Sequence, residues 1–327
     1  MKQWFKGDTH LHTSVSDGKY SPEELIKKCK KKKLDFIILT DHNKNSAGEN
    51  SYFSDSLLVI PGEEYSGSLG HFNAWGSFVP SQNGKRPQSE EEYIIIAEKA
   101  KAKDCTVSVN HPFCSKCGWK LPLDTFPYDT LEVWNMFMHQ SNMTAVNFWH
   151  SELLKGKRIV AVGGSDYHRD YGFSDMLSNP TTFVLAEELT ENALLSAIKS
   201  GNSFITDSPN ASRLIISCGD CVQGDEVKFS ENMTVHISAG NIKKGMTLQV
   251  FNNDKIVLEH TAEKNGNFED DIKISENGFV RAQIIYSLRG IRKLAFNFKM
   301  SLWRPKERKL DYPYAVYTLT NPLWVTF

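Results

Sequence analysis

The first two-thirds of the chain repeats one pattern, in which a short apolar segment ends in a polar residue and a helix follows. Residues 35–40, 106–109 and 159–162 are such apolar segments, and each predicts a buried strand. Residues 131–134 fit the same pattern. Chains that alternate strands and helices in this way form parallel βα units, whose functional side chains lie at the carboxyl ends of the strands. The pattern therefore predicts an α/β fold for residues 1–205.

Two of the predicted helices have recognisable ends. Ser21 and Glu24 form a capping-box pattern with Pro22 at the first helical position, which predicts a helix that begins at residue 22. The helix over residues 191–200 is expected to end at Gly201, because glycine readily adopts the left-handed conformation found at helix C-termini. Both helices lie between predicted strands and support the βα interpretation.

The pattern changes after residue 205. Residues 206–327 place apolar side chains at every second position, for example at 234–239, 279–287 and 293–298, with Gly, Asn and Asp between the segments. This period is typical of half-buried strands, and no helix is predicted there. We therefore expect two domains, an α/β domain at 1–205 and a small all-β sandwich at 206–327.

The composition excludes some classes of function. Lys and Arg total 38 and Asp and Glu total 39, so the formal net charge is −1. Proteins that coat DNA or bind anionic membranes through charge carry a strong basic excess, so we expect neither role. The chain has no apolar segment of membrane-spanning length and no signal-peptide pattern at its start. Six cysteines are too few for a disulfide scaffold, which favours reduced thiols and a cytoplasmic location.

Four of the cysteines form two C-x-x-C pairs, Cys114 with Cys117 and Cys218 with Cys221. Zinc ribbons place two such pairs about 15–20 residues apart. Here about a hundred residues separate the pairs, so a zinc site shared by both is not expected. The sequence leaves each pair open to a structural or a redox role.

The histidines are concentrated towards the start, and eight of the ten precede residue 169. His10 and His12 have the spacing that places two side chains on one face of a strand, so both can bind one metal ion. His139 and His150 lie away from the strand ends and are expected in a helix or loop. The candidate ligands at or near strand ends are His10, His12, Asp17, His42, Glu64, His71, His111, Asp166 and His168. Scattered histidines have no reason to prefer strand ends, so this set predicts a polynuclear metal site.

These motifs, in this order, resemble those of the PHP (polymerase and histidinol phosphatase) superfamily over residues 1–205. The motifs are His10-Leu11-His12-Thr13, Ser16-Asp17-Gly18, Thr40-Asp41-His42, Gly62-Glu63-Glu64, Asn110-His111-Pro112 and Ser165-Asp166-Tyr167-His168. Two later segments, Gly201-Asn202-Ser203-Phe204 and Thr320-Asn321-Pro322-Leu323-Trp324-Val325, are similar to one branch of it. That branch carries a C-terminal β-sandwich and includes carbaryl-type carbamate hydrolases.

The resemblance implies a distorted (β/α)7 barrel that binds two or three divalent metal ions. The implied ligands of the first ion are His10, His12, Glu64 and Asp166. Those of the second ion are Glu64, His71 and His111, and those of the third are Asp17, His42 and His168. Either Glu63 or Glu64 could fill the shared position, and the G-x-E spacing of the family selects Glu64. Mixed histidine and carboxylate ligands suit Mn, Fe or Zn and do not choose among them.

A site of this kind is expected to be net positive, because three divalent ions outweigh the three carboxylates among the ligands. It attracts phosphate oxygens and lowers the pKa of bound water from about 15.7 towards about 7, which makes a metal-bound hydroxide the expected nucleophile. Asp41 and Arg169 are the candidate catalytic residues. Asp41 is expected either to orient His42 or to act as a plain surface or capping aspartate. Arg169 fits either a phosphate contact or a structural ion pair.

Three functions remain open at this point. The first is a metal-dependent phosphoesterase acting on a small phosphorylated molecule, with nucleotides as one class. The second is hydrolysis of an ester, carbamate or amide at the same site, and the third is a metal-bound interaction module without turnover. The C-terminal domain is expected either to cover the barrel mouth or to mediate homo-oligomerisation.

Overall fold

The computed structural model of the chain describes residues 2–170, 175–303 and 310–327. The helices are α1 (Pro22–Lys31), α2 (Glu90–Lys101), α3 (Gln140–Leu154), α4 (Glu191–Ser200) and α5 (Ile291–Trp303). The strands of the first part are β1 (Gln3–Leu11), β2 (Phe36–Leu39), β3 (Tyr52–Ser54), β4 (Leu57–Gly67), β5 (Gly70–Trp75), β6 (Thr106–Val109), β7 (Thr130–Asn135), β8 (Val160–Gly164), β9 (Thr181–Ala186) and β10 (Ser203–Thr206). Those of the second part are β11 (Arg213–Cys218), β12 (Cys221–Val222), β13 (Glu226–Lys228), β14 (Thr234–Ile242), β15 (Met246–Asn252), β16 (Lys255–Thr261), β17 (Gly266–Lys273), β18 (Gly278–Ser287), β19 (Tyr314–Thr320) and β20 (Leu323–Thr326).

Local sequence signals explain the ends of two helices. The Ser21 hydroxyl accepts the Glu24 backbone N–H, and the Glu24 carboxylate accepts the Ser21 N–H at 2.9 Å, which is the predicted capping box. Helix α4 ends at Gly201, which has the left-handed φ of 80° expected of it. Both predicted ends are confirmed.

One large sheet organises the first part of the chain. Its strands follow the order β13-β20-β18-β19-β10-β9-β1-β2-β4-β5-β6-β7-β8. The pairs β1–β2, β2–β4, β6–β7 and β7–β8 are parallel, as βα units require. The segment that follows β8 meets the end of β1 through an isolated parallel bridge between Leu11 and Tyr167, and the His12 N–H donates to the Tyr167 carbonyl at 3.1 Å. The carboxyl ends of β1, β2 and β8 therefore meet.

The fold is mixed α/β, but a (β/α)7 barrel is not confirmed. Strands β4 and β5 form an antiparallel hairpin with no helix between them, and β5 pairs antiparallel with β6. Four helices lie within the described residues 2–170 and 175–205. Gly70 makes the hairpin possible because its φ is 123°, a value that side chains with a Cβ rarely adopt.

The C-terminal part contributes to two sheets. Strands β12, β11, β14 and β17 form a separate four-stranded sheet, whereas β13, β15, β16 and β18 to β20 belong to the large one. Buried side chains of both sheets, such as Ile216, Val235, Val250 and Ile284, form one apolar cluster. The large sheet also crosses residue 205, because β10 pairs with both β9 and β19. The domain boundary at 205 stays a prediction.

Helix α5 corrects the prediction that residues 206–327 contain only strands. Residues 293–298 were expected to be a strand because Leu294, Phe296 and Phe298 alternate with polar or small residues. The same residues also fit a helix, since Leu294 and Phe298 are four apart, and short apolar segments do not distinguish the two periods.

None of the described helices is both long and apolar enough to span a membrane.

Candidate metal centre

Strand β1 carries the first two candidate ligands on one face. His10 and His12 are both buried, and their ring centroids lie 5.2 Å apart. Gly164 at the end of β8 allows β8 to lie close to His10, because a Cβ on that residue would lie 2.4 Å from the His10 Cβ. The i, i+2 spacing therefore places both histidines on one face of β1, as predicted, and the glycine in β8 leaves room for the His10 side chain.

The next ligands follow the strands beside β1. His42 comes just after β2 and forms an isolated bridge with Glu64 in β4. The His42 Nδ1 lies 2.7 Å from a Glu64 oxygen. Asp166 and His168 follow β8, and Asp166 Oδ1 lies 3.1 Å from the His12 Nε2. These side chains share one edge because their strands run parallel.

His71 and His111 complete the ring of histidines around Glu64. The His71 Nδ1 lies 3.1 Å from Glu64 Oε1, and the His111 Nε2 lies 3.2 Å from the same oxygen. His71 reaches the site from β5, so the β4–β5 hairpin places it there. His111 has a left-handed φ of 27°, an uncommon conformation for a residue with a side chain and one often found at functional sites.

All nine predicted ligands lie in groups whose ligand atoms are within 4.8 Å of one another. The groups are His10, His12 and Asp166; His10, Glu64 and His111; His42, Glu64 and His71; His12, Asp17, His42 and His168; and His71, His111 and Cys117. These groups overlap, and none holds all four ligands implied for the first ion or all three implied for the second. His12 also lies with the third set, and Cys117 lies with His71 and His111.

The spacing of these atoms fits divalent metal ions. The His10 Nε2 lies 3.4 Å from Glu64 Oε1, and the His12 Nε2 lies 3.4 Å from Glu64 Oε2. Ligand atoms about 2.1 Å from a tetrahedral ion are about 3.4 Å apart. Within the part of the chain that the structure describes, neither buried Nε2 atom makes a well-directed hydrogen bond, although the His12 Nε2 lies 3.1 Å from Asp166 Oδ1. Buried polar atoms are rarely left in that state, so the pair fits a bound ion.

The ambiguity between the two glutamates has a simple geometric answer. Glu64 faces the histidines, whereas Glu63 Oε1 accepts the Gln82 N–H at 2.8 Å on the other side of β4. Burial raises the pKa of Glu63 to about 7. Burial also opposes the charge of Glu64, but the neighbouring His42, His10 and His71 outweigh it and hold its pKa well below the usual range.

Glu132 is a site residue that the sequence interpretation missed. Its Oε1 lies 2.9 Å from the His10 Nδ1, and its Oε2 accepts the His111 N–H at 2.8 Å. A carboxylate on the far side of a ligand imidazole fixes the ring orientation and raises its basicity. The only signal in the sequence was an acidic residue between the apolar Leu131 and Val133 of a predicted buried strand.

Asp41 holds a loop and does not contact the His42 ring in the described part of the chain. Its carboxylate accepts the backbone N–H and the hydroxyl of both Thr13 and Ser16, at 2.5 to 3.1 Å. These bonds hold the loop that presents Asp17.

Arg169 is exposed directly after His168. Of the two expected bystanders, His139 is the N-cap of α3, and His150 lies within α3 and accepts the Arg281 Nε–H at 2.9 Å.

The histidines and carboxylates shift each other's pKa values. Burial opposes charge on His111 and His168, but the carboxylates Glu64 and Asp17 raise both pKa values to about 9. Burial, with the nearby His168, lowers the pKa of His12 to about 4. The His168 contact lowers the pKa of the exposed Asp17 to about 2. At neutral pH the chain alone therefore holds ionised carboxylates and protonated His111 and His168, whose protons a metal ion displaces.

Comparison with known proteins supports part of the resemblance. Residues 8–102 match the family model described as the PHP domain. This segment includes the motifs from His10 to His71. No curated protein matches the chain. The similarity to the branch that includes carbamate hydrolases is not confirmed.

Solved structures extend the comparison beyond that segment. A two-domain protein from Bacteroides vulgatus, described as containing a predicted PHP-like metal-dependent phosphoesterase, is similar over 98% of this chain and 96% of its own, at 18% identity and a TM-score of 0.53. This similarity shows a shared fold. An amidohydrolase from Chromobacterium violaceum covers 50% of this chain and 87% of its own, at 14% identity and a TM-score of 0.35. A protein from Bifidobacterium adolescentis, inferred to be a metal-dependent phosphoesterase, covers 59% and 94%, at 14% identity and a TM-score of 0.37.

Proposed function

We propose that this protein is a metal-dependent phosphoesterase that hydrolyses a small phosphorylated molecule, with nucleotides as one substrate class. The observation that carries the proposal is the convergence of six histidines and three carboxylates at one edge of the sheet, with ligand atoms within 4.8 Å of one another in each group. Mixed nitrogen and oxygen ligands of this kind suit two or three ions of Mn, Fe or Zn.

The charge balance favours a phosphate ester as substrate. Asp17, Glu64 and Asp166 bring three negative charges, and two or three divalent ions bring four or six positive ones, so the loaded site is cationic. When bound, such ions lower the pKa of water and stabilise negative charge on a phosphoryl group. A cationic site in a chain of net charge −1 concentrates anionic substrates at this one place.

The protein's own side chains have distinct roles in this proposal. Arg169 is exposed beside His168, where its guanidinium can bind two oxygens of an entering phosphate. Asp41 acts through the loop that it holds, since that loop sets the position of Asp17. Glu132 fixes His10 and the backbone of His111. These three residues position the substrate or the ligands and do not themselves bind the ions.

The test is turnover by protein that has been stripped with a chelator and reloaded with Mn, Fe or Zn. A panel of aryl phosphates, phosphodiesters, nucleotides, aryl acetates and aryl carbamates separates the candidate functions. The matched variants are His12→Gln, which removes a buried candidate ligand, and His236→Gln, which changes a half-buried histidine on β14.

We expect phosphate release by the wild type and His236→Gln and a loss of at least about a hundredfold in His12→Gln, as for a catalytic metal ligand. Acyl or carbamate turnover without phosphate release would favour the second hypothesis. Tight metal binding with the whole panel silent would favour a module without turnover. Either result contradicts the proposal.

A further inference from the structure

The loop that follows β6 folds back tightly towards the metal centre. The Cys114 N–H donates to the His111 carbonyl, and the Gly118 N–H donates to the Cys114 carbonyl, both at 2.9 Å. The Trp119 N–H closes the loop on the Pro112 carbonyl, also at 2.9 Å. The backbone therefore turns twice within eight residues and brings Cys117 beside the ring of His111.

The position of this loop is fixed from both sides. A Cβ on Gly118 would lie 2.5 Å from the Cys114 carbonyl oxygen, so the turn is closed too tightly for any other residue. Just beyond it, the Lys120 N–H donates to the Leu69 carbonyl at 2.9 Å and ties the loop to the β4–β5 hairpin. That hairpin carries His71. The side chains of His71, His111 and Cys117 are thus held by connected backbone segments.

The distance from the Cys117 sulfur to the nearest histidine nitrogen is that of two ligands of one metal ion. Its Sγ lies 3.7 Å from the His111 Nδ1, and the ligand atoms of His71, His111 and Cys117 all lie within 4.8 Å of one another. A tetrahedral ion with Zn–S of about 2.3 Å and Zn–N of about 2.05 Å holds its sulfur and nitrogen ligands about 3.6 Å apart. We propose that Cys117 is a thiolate ligand of a divalent ion that it shares with His71 and with the Nδ1 of His111, the ring nitrogen opposite the one that faces Glu64.

Cys114 has a different place in this arrangement. Its Sγ lies 3.0 Å from the Cys117 Sγ, within hydrogen-bonding distance, but it belongs to none of the candidate ligand groups among the described residues. In the chain alone the Cys117 thiol donates to the Cys114 Sγ. An ion bound at Cys117 would displace that proton, and the Cys114 thiol could then donate to the Cys117 thiolate, as hydrogen bonds to ligand atoms do around metal sites. Cys114 is therefore the matched control for Cys117. It is also a cysteine of the same loop, but it contacts the Cys117 sulfur and is not in the group of candidate ligands.

The thiolate narrows the choice of metal at this position. Carboxylates and imidazoles alone accept Mn, Fe or Zn, whereas a thiolate favours Zn or Fe(II) over Mn. This inference rests on the proposed metal site and deepens it. It predicts that the position at His71, His111 and Cys117 selects a softer ion than the carboxylate-rich positions.

The experiment is to load the stripped full-length protein with Co²⁺ and record its absorption spectrum. A cobalt–thiolate bond gives an intense near-ultraviolet charge-transfer band that cobalt bound only by histidine and carboxylate lacks. We expect the band in the wild type and in Cys114→Ser, and its loss in Cys117→Ser. A wild type without the band, or any other pattern among the variants, overturns the assignment of Cys117.

A second measurement needs no variant. Both cysteines are half-buried and not fully enclosed, so alkylation of each by iodoacetamide can be followed by peptide mass spectrometry. We expect Zn²⁺ to protect Cys117 from alkylation more strongly than Cys114, and equal labelling of the two in loaded protein would contradict the inference. Metal content and phosphate release measured on the same samples separate the two proposals. A loaded, active enzyme without the thiolate band rejects only the ligand role of Cys117.

Discussion

Glu132 lies behind His10, with its Oε1 2.9 Å from the His10 Nδ1, while the His10 Nε2 faces Glu64 and Asp166. The imidazole is thus held between a buried carboxylate on one side and the candidate ion positions on the other. Burial opposes charge on His10, but Glu132, Glu64 and Asp166 raise its pKa well above the usual value. The arrangement keeps the proton on Nδ1 and leaves Nε2 for a metal ion.

Replacing Glu132 should weaken metal binding without removing a ligand. In Glu132→Gln the carboxylate that orients His10 and His111 is lost, and we expect metal affinity to fall by about 10- to 100-fold. Titration of the stripped protein with Zn²⁺ against a fluorescent chelator measures this. Glu231→Gln, an exposed change outside the site, is the control. Equal affinities for the two variants would show that Glu132 has no part in the site.

Metal affinity should rise with pH. In the chain alone the pKa values of His111 and His168 are raised to about 9, so both rings are protonated at pH 7. A metal ion binds the neutral ring and must displace these protons. Raising the pH from about 6.5 towards about 9 removes this competition, so affinity should increase and proton release should decrease. Calorimetry in buffers of different ionisation enthalpy counts the released protons, and affinity that is flat or falls over this range would contradict the pKa assignment.

Gly164 should be intolerant of a methyl group. A Cβ there would lie 2.4 Å from the His10 Cβ and 2.9 Å from Glu132 Oε1. We expect Gly164→Ala to lower the free energy of unfolding by about 1–3 kcal/mol, as overpacking does, and to weaken metal binding by moving His10. Gly266→Ala is the control, because no atom lies within 4 Å of its Cβ position. Urea unfolding and metal titration of the two variants check this, and identical behaviour would argue against the close β1–β8 contact.

Asp41 should affect one ion position more than the others. Asp41→Asn removes the charge that holds Thr13 and Ser16, and hydrogen bonds to charged groups contribute about 1.5–3 kcal/mol. We therefore expect the loop with Asp17 to loosen and the affinity at the position of His42 and His168 to fall about tenfold or more. The readout is metal stoichiometry at limiting metal concentration. If Asp41→Asn binds as many metal ions as the wild type with the same affinity, the claim that Asp41 holds the loop with Asp17 in place is wrong.

The sequence predicted that these candidate ligands lie close together because strand geometry is local. The i, i+2 spacing of His10 and His12 fixes their common face whatever the rest of the fold does. His71 was predicted from its place just beyond Glu64, and its contact with Glu64 arises from a hairpin that the βα pattern did not predict. The hairpin keeps the two residues close along the chain as well as in space.

The residues that the sequence interpretation missed depend on tertiary packing. Glu132 lies 122 positions from His10, and only the approach of β7 and β1 brings them together. Cys117 was seen as half of a C-x-x-C pair, and its contact with His111 follows from how the loop folds back. Helix α5 was missed because its apolar residues fit two periods, and the choice between them is made by packing, such as that of Phe296 near Tyr286.

The most direct test of the central claim is phosphate release by stripped protein as divalent metal ions are added back. If the nine side chains form the catalytic centre of a phosphoesterase, hydrolysis of a phosphate ester should be absent without metal, should appear as two or three ions bind, and should vanish again on chelation. Ions bound in that number without any phosphate release, or release that does not depend on them, would contradict the account.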